Sequence, residues 1–369
     1  MPQGGSPFPA DLDGPASAGA KVRFSLPELG RNWSATADAE GHVTGTIPLP
    51  RTARLWSPES PQLYNLTLAV GADSVTDRIG FRSIERRGNA LFLNDKPLTL
   101  LGVSIHEEAI GAQPTRVLDE AAARALLSEA KALGSNFVRL AHYPHTETMV
   151  RLADEMGLLV WSEIPVYWDI AFDSEATYAE ASAMLRAMIA RDMNRPSVVI
   201  WSVANETPIN DSRNRFLQRL IAEARTADPS RLISAAMDKM PEAGGLDDGN
   251  LILVNDPLAE HLDVLAINRY DGWYGPLTPA RGGRGAVGDA VRQADHPQRI
   301  RRGRAARLPR RSISALERGL SGGNLSPICR HDSPHPELCR DVAVDIEGFP
   351  LSPAVSRTVS GLLEPQGPD

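Results

Sequence analysis

The chain has 369 residues, a formal net charge of −7 and two cysteines. The length allows more than one domain with a sizeable core, and the negative charge disfavours nucleic acid as the main partner. No apolar stretch reaches membrane-spanning length, and Cys329 and Cys339 fit neither a disulfide framework nor a zinc spacing. The segment Met1–Pro9 lacks the basic and apolar parts of a secretory signal, so the cytoplasm is the default expectation.

The first part of the chain has the pattern of short β-strands. Residues 1–20 are rich in Pro, Gly, Ala and Ser and are expected to be disordered. Residues 21–87 alternate short apolar strands with turns, which predicts a small immunoglobulin-like β-sandwich. A connecting hairpin is expected at Ile84–Asn94, with Asn94 and Asp95 in its turn. The predicted sandwich strands are Val22–Leu26, Val43–Ile47 and Leu63–Val70.

Residues 88–276 alternate apolar strands with amphipathic helices. This rhythm predicts a parallel sheet and, at this length, a (β/α)₈ TIM barrel in which strands one to six are recognisable and strands seven and eight are lost. The predicted strands are Leu100–Ile105, Phe137–Leu140, Leu158–Glu163, Val198–Val203, Leu232–Met237 and Val264–Asn268. The predicted helices are Asp119–Leu133, Thr146–Met156, Thr177–Arg191 and Asn214–Ala227.

The pattern stops in residues 277–369. From Arg281 onward there is no Lys, Trp or Tyr, while Arg, Pro and Ser accumulate. One interpretation is a basic, disordered tail that binds nucleic acid or a protein partner. The other interpretation is an aberrant reading frame, which the motifs described below favour.

Chemistry is predicted at the end of the fourth barrel strand. The run Val198–Val203 is followed by Asn205 and Glu206. Polar side chains at the carboxyl end of a barrel strand are typical of catalytic residues. Glu206 is therefore a candidate general acid/base, and Asn205 a candidate hydrogen-bond donor to a substrate hydroxyl. The alternative is a capped strand end whose glutamate forms a structural ion pair.

The strand ends resemble those of glycoside hydrolase family 2, which contains β-galactosidases, β-glucuronidases and β-mannosidases. In order and spacing, the matching segments cover the chain from about Val22 to Pro276. They are Leu55–Tyr64, Gly80–Arg82, Gly102–Glu107, Val138–Pro144, Asp192–Ser197, Trp201–Glu206 and Asn268–Tyr274.

The resemblance implies a retaining mechanism with two carboxyl groups. One protonates the leaving oxygen, and the other, about 5–5.5 Å away, attacks the anomeric carbon. Glu206 occupies the acid/base position. The nucleophile belongs to a Ser/Thr-Glu-Phe/Tyr-Gly motif after Tyr274, and the chain has no such motif there. Codons chosen for residues 297–369 and read one nucleotide later can give Ser-Glu-Phe-Gly from Gln298–Ala305 and, near the end, Asn-Arg-Lys. We therefore expect a frameshift near residues 276–295.

The resemblance also assigns the residues around Glu206. Arg139 and Glu163 are expected to support the site, with Arg139 paired to a carboxylate, and no metal or cofactor is implied. Ser104 stands where the family has Asn. For the pocket residues, packing or structural hydrogen bonding is the alternative role. The predicted substrate-binding residues are Asn205, His106, His142, Tyr270, Tyr274 and Trp168.

The function implied by the resemblance is hydrolysis of terminal β-linked sugars by a retaining exo-glycosidase. Asn268–Tyr274 and the shifted-frame Asn-Arg-Lys favour a β-glucuronidase, with β-galactosidase as the alternative. A catalytically inactive fragment or a non-catalytic carbohydrate-binding protein is a further alternative. The expected partner is a carbohydrate, with neither nucleic acid nor membrane, and an oligomer is compatible with the intact enzyme. Relative to the family, the N-terminal jelly roll is missing, so the start is expected to be truncated.

Overall fold

The structure is a computed structural model that describes residues 6–12, 17–47, 49–108, 115, 118–237, 251–252, 256–269, 286–287 and 343–346. These residues form an N-terminal β region, a three-stranded connector and a mainly parallel sheet that is covered by helices. Within these ranges, no helix is both long enough and apolar enough to cross a bilayer.

The N-terminal β region contains a four-stranded antiparallel sheet of order β3-β2-β5-β6 and a two-stranded pair, β1-β4. Its strands are β1 (Ser6–Asp11), β2 (Lys21–Leu26), β3 (Arg31–Thr36), β4 (His42–Ile47), β5 (Tyr64–Val70) and β6 (Asp73–Ile79). Burial alternates along β2, so Val22, Phe24 and Leu26 face a core that includes Ile47 and Leu66. This core holds the two sheets of the predicted sandwich together.

Strand β1 corrects the expectation that residues 1–20 are disordered, because Ser6–Asp11 pairs antiparallel with β4. Pro7 and Pro9 are two residues apart, so their missing N–H groups lie on the same edge of the strand. Because β4 is the only strand paired with β1 among the described residues, that edge can face away from the ladder. An edge strand tolerates proline in this arrangement.

A three-stranded antiparallel connector links the β region to the helix-covered sheet. It consists of β7 (Ile84–Arg87), β8 (Ala90–Leu93) and β9 (Lys96–Leu98). Asn94 and Asp95 both have positive φ, 52° and 64°, as a two-residue turn of type I′ requires. The predicted turn at these residues is confirmed, and it joins β8 to β9.

The mainly parallel sheet has the order β10-β11-β12-β13-β14-β16-β18. Its first six strands are parallel, as predicted, and pack beneath four helices that each begin at a side-chain cap, Asp119, Thr146, Ser174 or Asn210. The strands of this sheet are β10 (Gly102–Ile105), β11 (Phe137–Leu140), β12 (Leu159–Glu163), β13 (Val198–Asn205), β14 (Leu232–Met237), β16 (Val264–Arg269) and β18 (Ala343–Ile346). Strands β15 (Leu251–Ile252) and β17 (Ala286–Val287) form a separate parallel pair. The helices are α1 (Glu120–Ala132), α2 (Glu147–Met156), α3 (Glu175–Asp192) and α4 (Asp211–Ala227).

The sheet edge next to β16 is paired with a strand that the sequence did not predict. Ala343–Ile346 pairs with β16 in the antiparallel direction and also approaches β10. A seventh strand of a β/α barrel would be parallel to its neighbour. The described residues therefore form an incomplete barrel of six parallel strands with one antiparallel addition.

The β region packs against the end of the sheet opposite the carboxyl ends of its strands. Trp56 is fully buried there, and its Nε1 donates to the carbonyl of Asp154, 2.8 Å away. Asp77 of β6 accepts hydrogen bonds from Arg151 and Arg195. Burial raises the pKa of Asp77, but these two arginines outweigh burial and lower it. The contact leaves the carboxyl ends of the strands open for a site.

Candidate active site

Polar side chains from four of the six parallel strands lie at the carboxyl ends of the sheet. Arg139 comes from β11, Glu163 ends β12, Asn205 ends β13 and Glu206 follows it, and Asn268 lies near the end of β16. Because parallel strands all end at the same edge, residues distant in sequence come together here. This edge contains the predicted acid/base and its predicted supporting residues.

A buried ion pair forms the base of the site. Arg139 is fully buried, and its Nη2 lies 3.1 Å from Glu163 Oε2. Nδ1 of His142 lies 2.6 Å from Glu163 Oε1, and Trp161 Nε1 donates to Glu163 Oε2 over 3.0 Å. Burial raises the pKa of Glu163, but the Arg139 charge and the His142 hydrogen bond outweigh it and lower the pKa to about 2. Glu163 is therefore an ionised anchor and cannot supply a proton at neutral pH.

The ion pair fixes the orientation of the Asn205 amide. Asn205 Oδ1 accepts from Arg139 Nη2 at 2.7 Å and from Asn268 Nδ2 at 2.9 Å. Asn268 is in turn held by Arg139, whose Nη1 donates to Asn268 Oδ1 at 2.8 Å. Because two N–H donors point at Oδ1 of Asn205, the flipped amide, which would place its NH₂ group against them, is excluded. Among the described residues its Nδ2 has no acceptor, so the amide N–H groups remain available to a ligand.

Glu206 is half-buried and has a strained backbone. Its φ is +48°, in the left-handed region that residues other than glycine seldom adopt. Its N–H donates to the carbonyl of Ala236 in β14, 2.8 Å away, which helps to hold this conformation. Strain of this kind costs about 1–3 kcal/mol and is concentrated at functional sites. The structure therefore places a carboxyl group on a constrained backbone beside the oriented Asn205 amide.

Aromatic side chains border the same edge. The rings of His106 and His142 are 5.4 Å apart in an edge-to-face arrangement. Trp168 is 64% exposed and also has a positive φ, 57°, and its N–H donates to the carbonyl of Asn205 at 3.1 Å. Tyr167 packs edge-to-face on Trp168 with ring centroids 5.4 Å apart. A large apolar side chain held exposed on a strained backbone is typical of a ligand-binding surface.

The structure brings together all but two of the predicted site residues. Tyr270 and Tyr274 lie outside the described residues. The predicted pairing of Arg139 with a carboxylate is confirmed, and the carboxylate is Glu163. Within the described ranges there is no cluster of His, Cys, Asp and Glu suited to a metal ion.

Sequence reasoning missed two residues of this edge. Asn268 belongs to a segment noted for its family resemblance, and its position at a strand end could have marked it. For Tyr167, the only signal in the sequence was its position next to Trp168. Neither residue was assigned a role, because the contacts that reveal one depend on rotamers.

Two family models match this chain. The model described as "Glycosyl hydrolases family 2, TIM barrel domain" matches residues 84–281, and "Glycosyl hydrolases family 2" matches residues 9–82. The chain belongs to glycosyl hydrolase family 2. The family predicted from the strand-end segments is thus confirmed.

Two of the curated relatives carry different names. The chain is 29% identical over 272 residues to a β-glucuronidase of Paenibacillus borealis, covering 69% of this chain and 43% of the relative. It is 33% identical over 245 residues to a β-galactosidase of Enterobacter cloacae, covering 60% and 23%. Among solved structures, Bifidobacterium dentium β-glucuronidase complexed with coumarin-3-O-glucuronide is 25% identical, with a TM-score of 0.61, covering 73% of this chain and 44% of that one. The chain thus spans less than half the length of these relatives.

Proposed function

We propose that this chain carries the acid/base half of the active site of a retaining exo-β-glycosidase, with Glu206 as the acid/base. The observation that carries the proposal is the pair Asn205–Glu206 at the end of β13. The amide of Asn205 is held in one orientation, and Glu206 has a constrained backbone. Membership of the family supports the reaction class.

The described residues suit a division of roles. Glu206 protonates the leaving oxygen and later deprotonates water, as a retaining mechanism requires. Asn205 donates from Nδ2 to a hydroxyl of the sugar, since its oxygen is already occupied. Arg139 and Glu163 hold Asn205 and His142 in place, and a low pKa keeps Glu163 charged throughout. Trp168 provides a flat apolar face on which a sugar ring can stack.

A retaining mechanism also needs a second carboxylate as the nucleophile. The reading-frame hypothesis explains why the strand that would carry this nucleophile is missing from the chain. The TIM-barrel family match ends at residue 281, close to the predicted break. The strand paired with β16 is antiparallel, unlike a seventh barrel strand. Both observations support the proposal that residues 277–369 are read in an aberrant frame. On this proposal the 369-residue chain binds sugar without appreciable turnover, as the non-catalytic alternative also states.

We propose β-glucuronides as the substrates and keep β-galactosides as the second candidate. The segment Asn268–Tyr274 and the shifted-frame Asn-Arg-Lys favour a glucuronide, because an ammonium group pairs well with the sugar carboxylate. The relative from P. borealis carries the glucuronidase name. The galactoside candidate is supported by the relative from E. cloacae, which has slightly higher identity over a shorter part of this chain.

The test uses two proteins. One is the 369-residue chain. The other, called the restored protein, is read one nucleotide later beyond residue 276 and extended to the length of its relatives. Both are assayed on aryl β-glucuronide, β-galactoside and β-mannoside. We expect turnover only from the restored protein and fastest on the glucuronide. Ordinary turnover by the 369-residue chain would refute the frame hypothesis, and an inactive, folded restored protein would refute the proposed function.

A further inference from the structure

The segment that follows Glu206 is tied to the next helix by a buried side chain. Thr207 is fully buried, and its Oγ1 accepts a hydrogen bond from Nε of Arg213 at 2.8 Å. Arg213 lies in the first turn of α4, and its own N–H donates to the capping side chain of Asn210 at 2.9 Å. The residue after Glu206 is thus attached to the start of a rigid helix.

Arg213 is itself held by a buried carboxylate. Its Nη1 and Nη2 each donate to one oxygen of Asp256 over 2.8 Å, and both side chains are almost completely excluded from solvent. Asp256 also accepts from the N–H of Leu258 at 2.9 Å, which caps the short helical turn that precedes β16. The ion pair therefore joins the Glu206 segment, helix α4 and the approach to β16.

Stability alone is a weak reason for this ion pair. Two buried charges lose hydration that their attraction only partly recovers, and apolar replacements are often equally stable. Orientation is a stronger reason here, because Glu206 has a left-handed backbone that relaxes unless both of its neighbours are fixed. On one side, Asn205 is fixed by Arg139 and by Asn268. On the other side, the fixed neighbour is Thr207.

We propose that Arg213, braced by Asp256, is a positioning residue that holds Glu206 in its left-handed conformation through Thr207. The proposal rests on the proposed function for the identity of Glu206 as the acid/base. The hydrogen bond from Arg213 to Thr207 sets the direction of the Glu206 carboxyl, and the bidentate pair with Asp256 prevents the guanidinium from following the segment.

The test compares Thr207→Val with Thr207→Ser in the 369-residue chain. Valine has the shape of threonine without the acceptor oxygen, and serine keeps the acceptor. Thr226→Val is the control for the chemical change, because Thr226 lies in α4, the helix that carries Arg213, and loses only a bond to the carbonyl of Ala222. The first readout is the ¹³Cα and ¹³Cβ chemical shifts of Glu206 in deuterated, glutamate-labelled protein, assigned with Glu206→Gln. The second readout is the Kd of a glucuronic-acid-derived sugar imidazole, whose nitrogen takes a proton from the acid/base.

We expect the Glu206 shifts to leave the left-handed range in Thr207→Val alone, with an affinity loss of about tenfold to a hundredfold. Thr207→Ser and Thr226→Val should keep wild-type values of both. Wild-type Glu206 shifts in Thr207→Val would overturn the positioning role, whatever its Tm. An imidazole that does not bind the wild-type chain would count against the proposed function, and the shifts would still decide the positioning role.

Discussion

Replacing Arg139 with methionine should make the stability of the protein depend on pH in a new way. In the wild type the pKa of Glu163 is about 2 rather than the ordinary 4.5, which corresponds to about 3 kcal/mol of stability at pH 7. Because this pKa is lowered, the contribution is complete above pH 4.5 and is lost as the pH falls from 4.5 to 2. Without Arg139, His142 and Trp161 are the described residues that still oppose the effect of burial on the Glu163 carboxylate, so its pKa rises.

We therefore expect Arg139→Met to lose about 3–5 kcal/mol of unfolding free energy at pH 7, and less at pH 4.5, where Glu163 takes up a proton. The assay is urea unfolding followed by tryptophan fluorescence from pH 4.5 to 7, and Glu163→Gln should recover part of the loss when it is added. Arg124→Met is the control, because Arg124 pairs with exposed carboxylates and should lose less than about 1 kcal/mol. A deficit of equal size at pH 4.5 and pH 7 would show that Arg139 acts through packing.

Three further changes have defined outcomes. Burial raises the pKa of Asp154 from 3.8 to about 7, so the free energy of unfolding declines as the pH rises across that range. Asp154→Asn should reduce this decline by about 4 kcal/mol at most. The same pH dependence of the unfolding free energy in variant and wild type, measured by urea unfolding at pH 4, 6 and 8, would contradict this. Gly157→Ala should cost about 1–3 kcal/mol more than Gly134→Ala in thermal unfolding. Both glycines have positive φ, but only at Gly157 would a Cβ lie 2.4 Å from the Pro58 carbonyl oxygen. Equal losses would show that this contact does not determine the cost. Trp168→Ala should weaken β-glucuronide binding to the restored protein about three- to tenfold at an unchanged Tm, and an unchanged Kd in calorimetry would assign the ring to another role.

Local patterns were sufficient to predict the parallel strands and the helices. An apolar run such as Val198–Val203 indicates a buried strand, and Asp119 and Thr146, the first residues of two predicted helices, are the caps of α1 and α2. The position of Glu206 after its strand predicted its place in the site, because strand ends of a parallel sheet share one edge. Each of these inferences depends on residues that are close together in the chain.

Contacts between distant residues were not predictable in the same way. Asn268 bonds to Asn205 and Asp256 to Arg213 across long stretches of chain, and no local pattern specifies which rotamers meet. The pairing of Ala343–Ile346 with β16 was also missed, because four residues carry too little periodicity to identify a strand in a segment of this composition.

The central claim is that Glu206 is the acid/base, and Glu206→Gln in the restored protein tests it most directly. Glutamine cannot protonate a leaving group, so hydrolysis of alkyl β-glucuronides should fall by several orders of magnitude, whereas the glycosylation step with nitrophenyl β-glucuronide needs no proton and should be far less affected. Deglycosylation then becomes limiting because the base is missing, so azide should accelerate turnover and yield a β-glycosyl azide. Equal losses on both substrates with no effect of azide would contradict the claim and make Glu206 a structural residue.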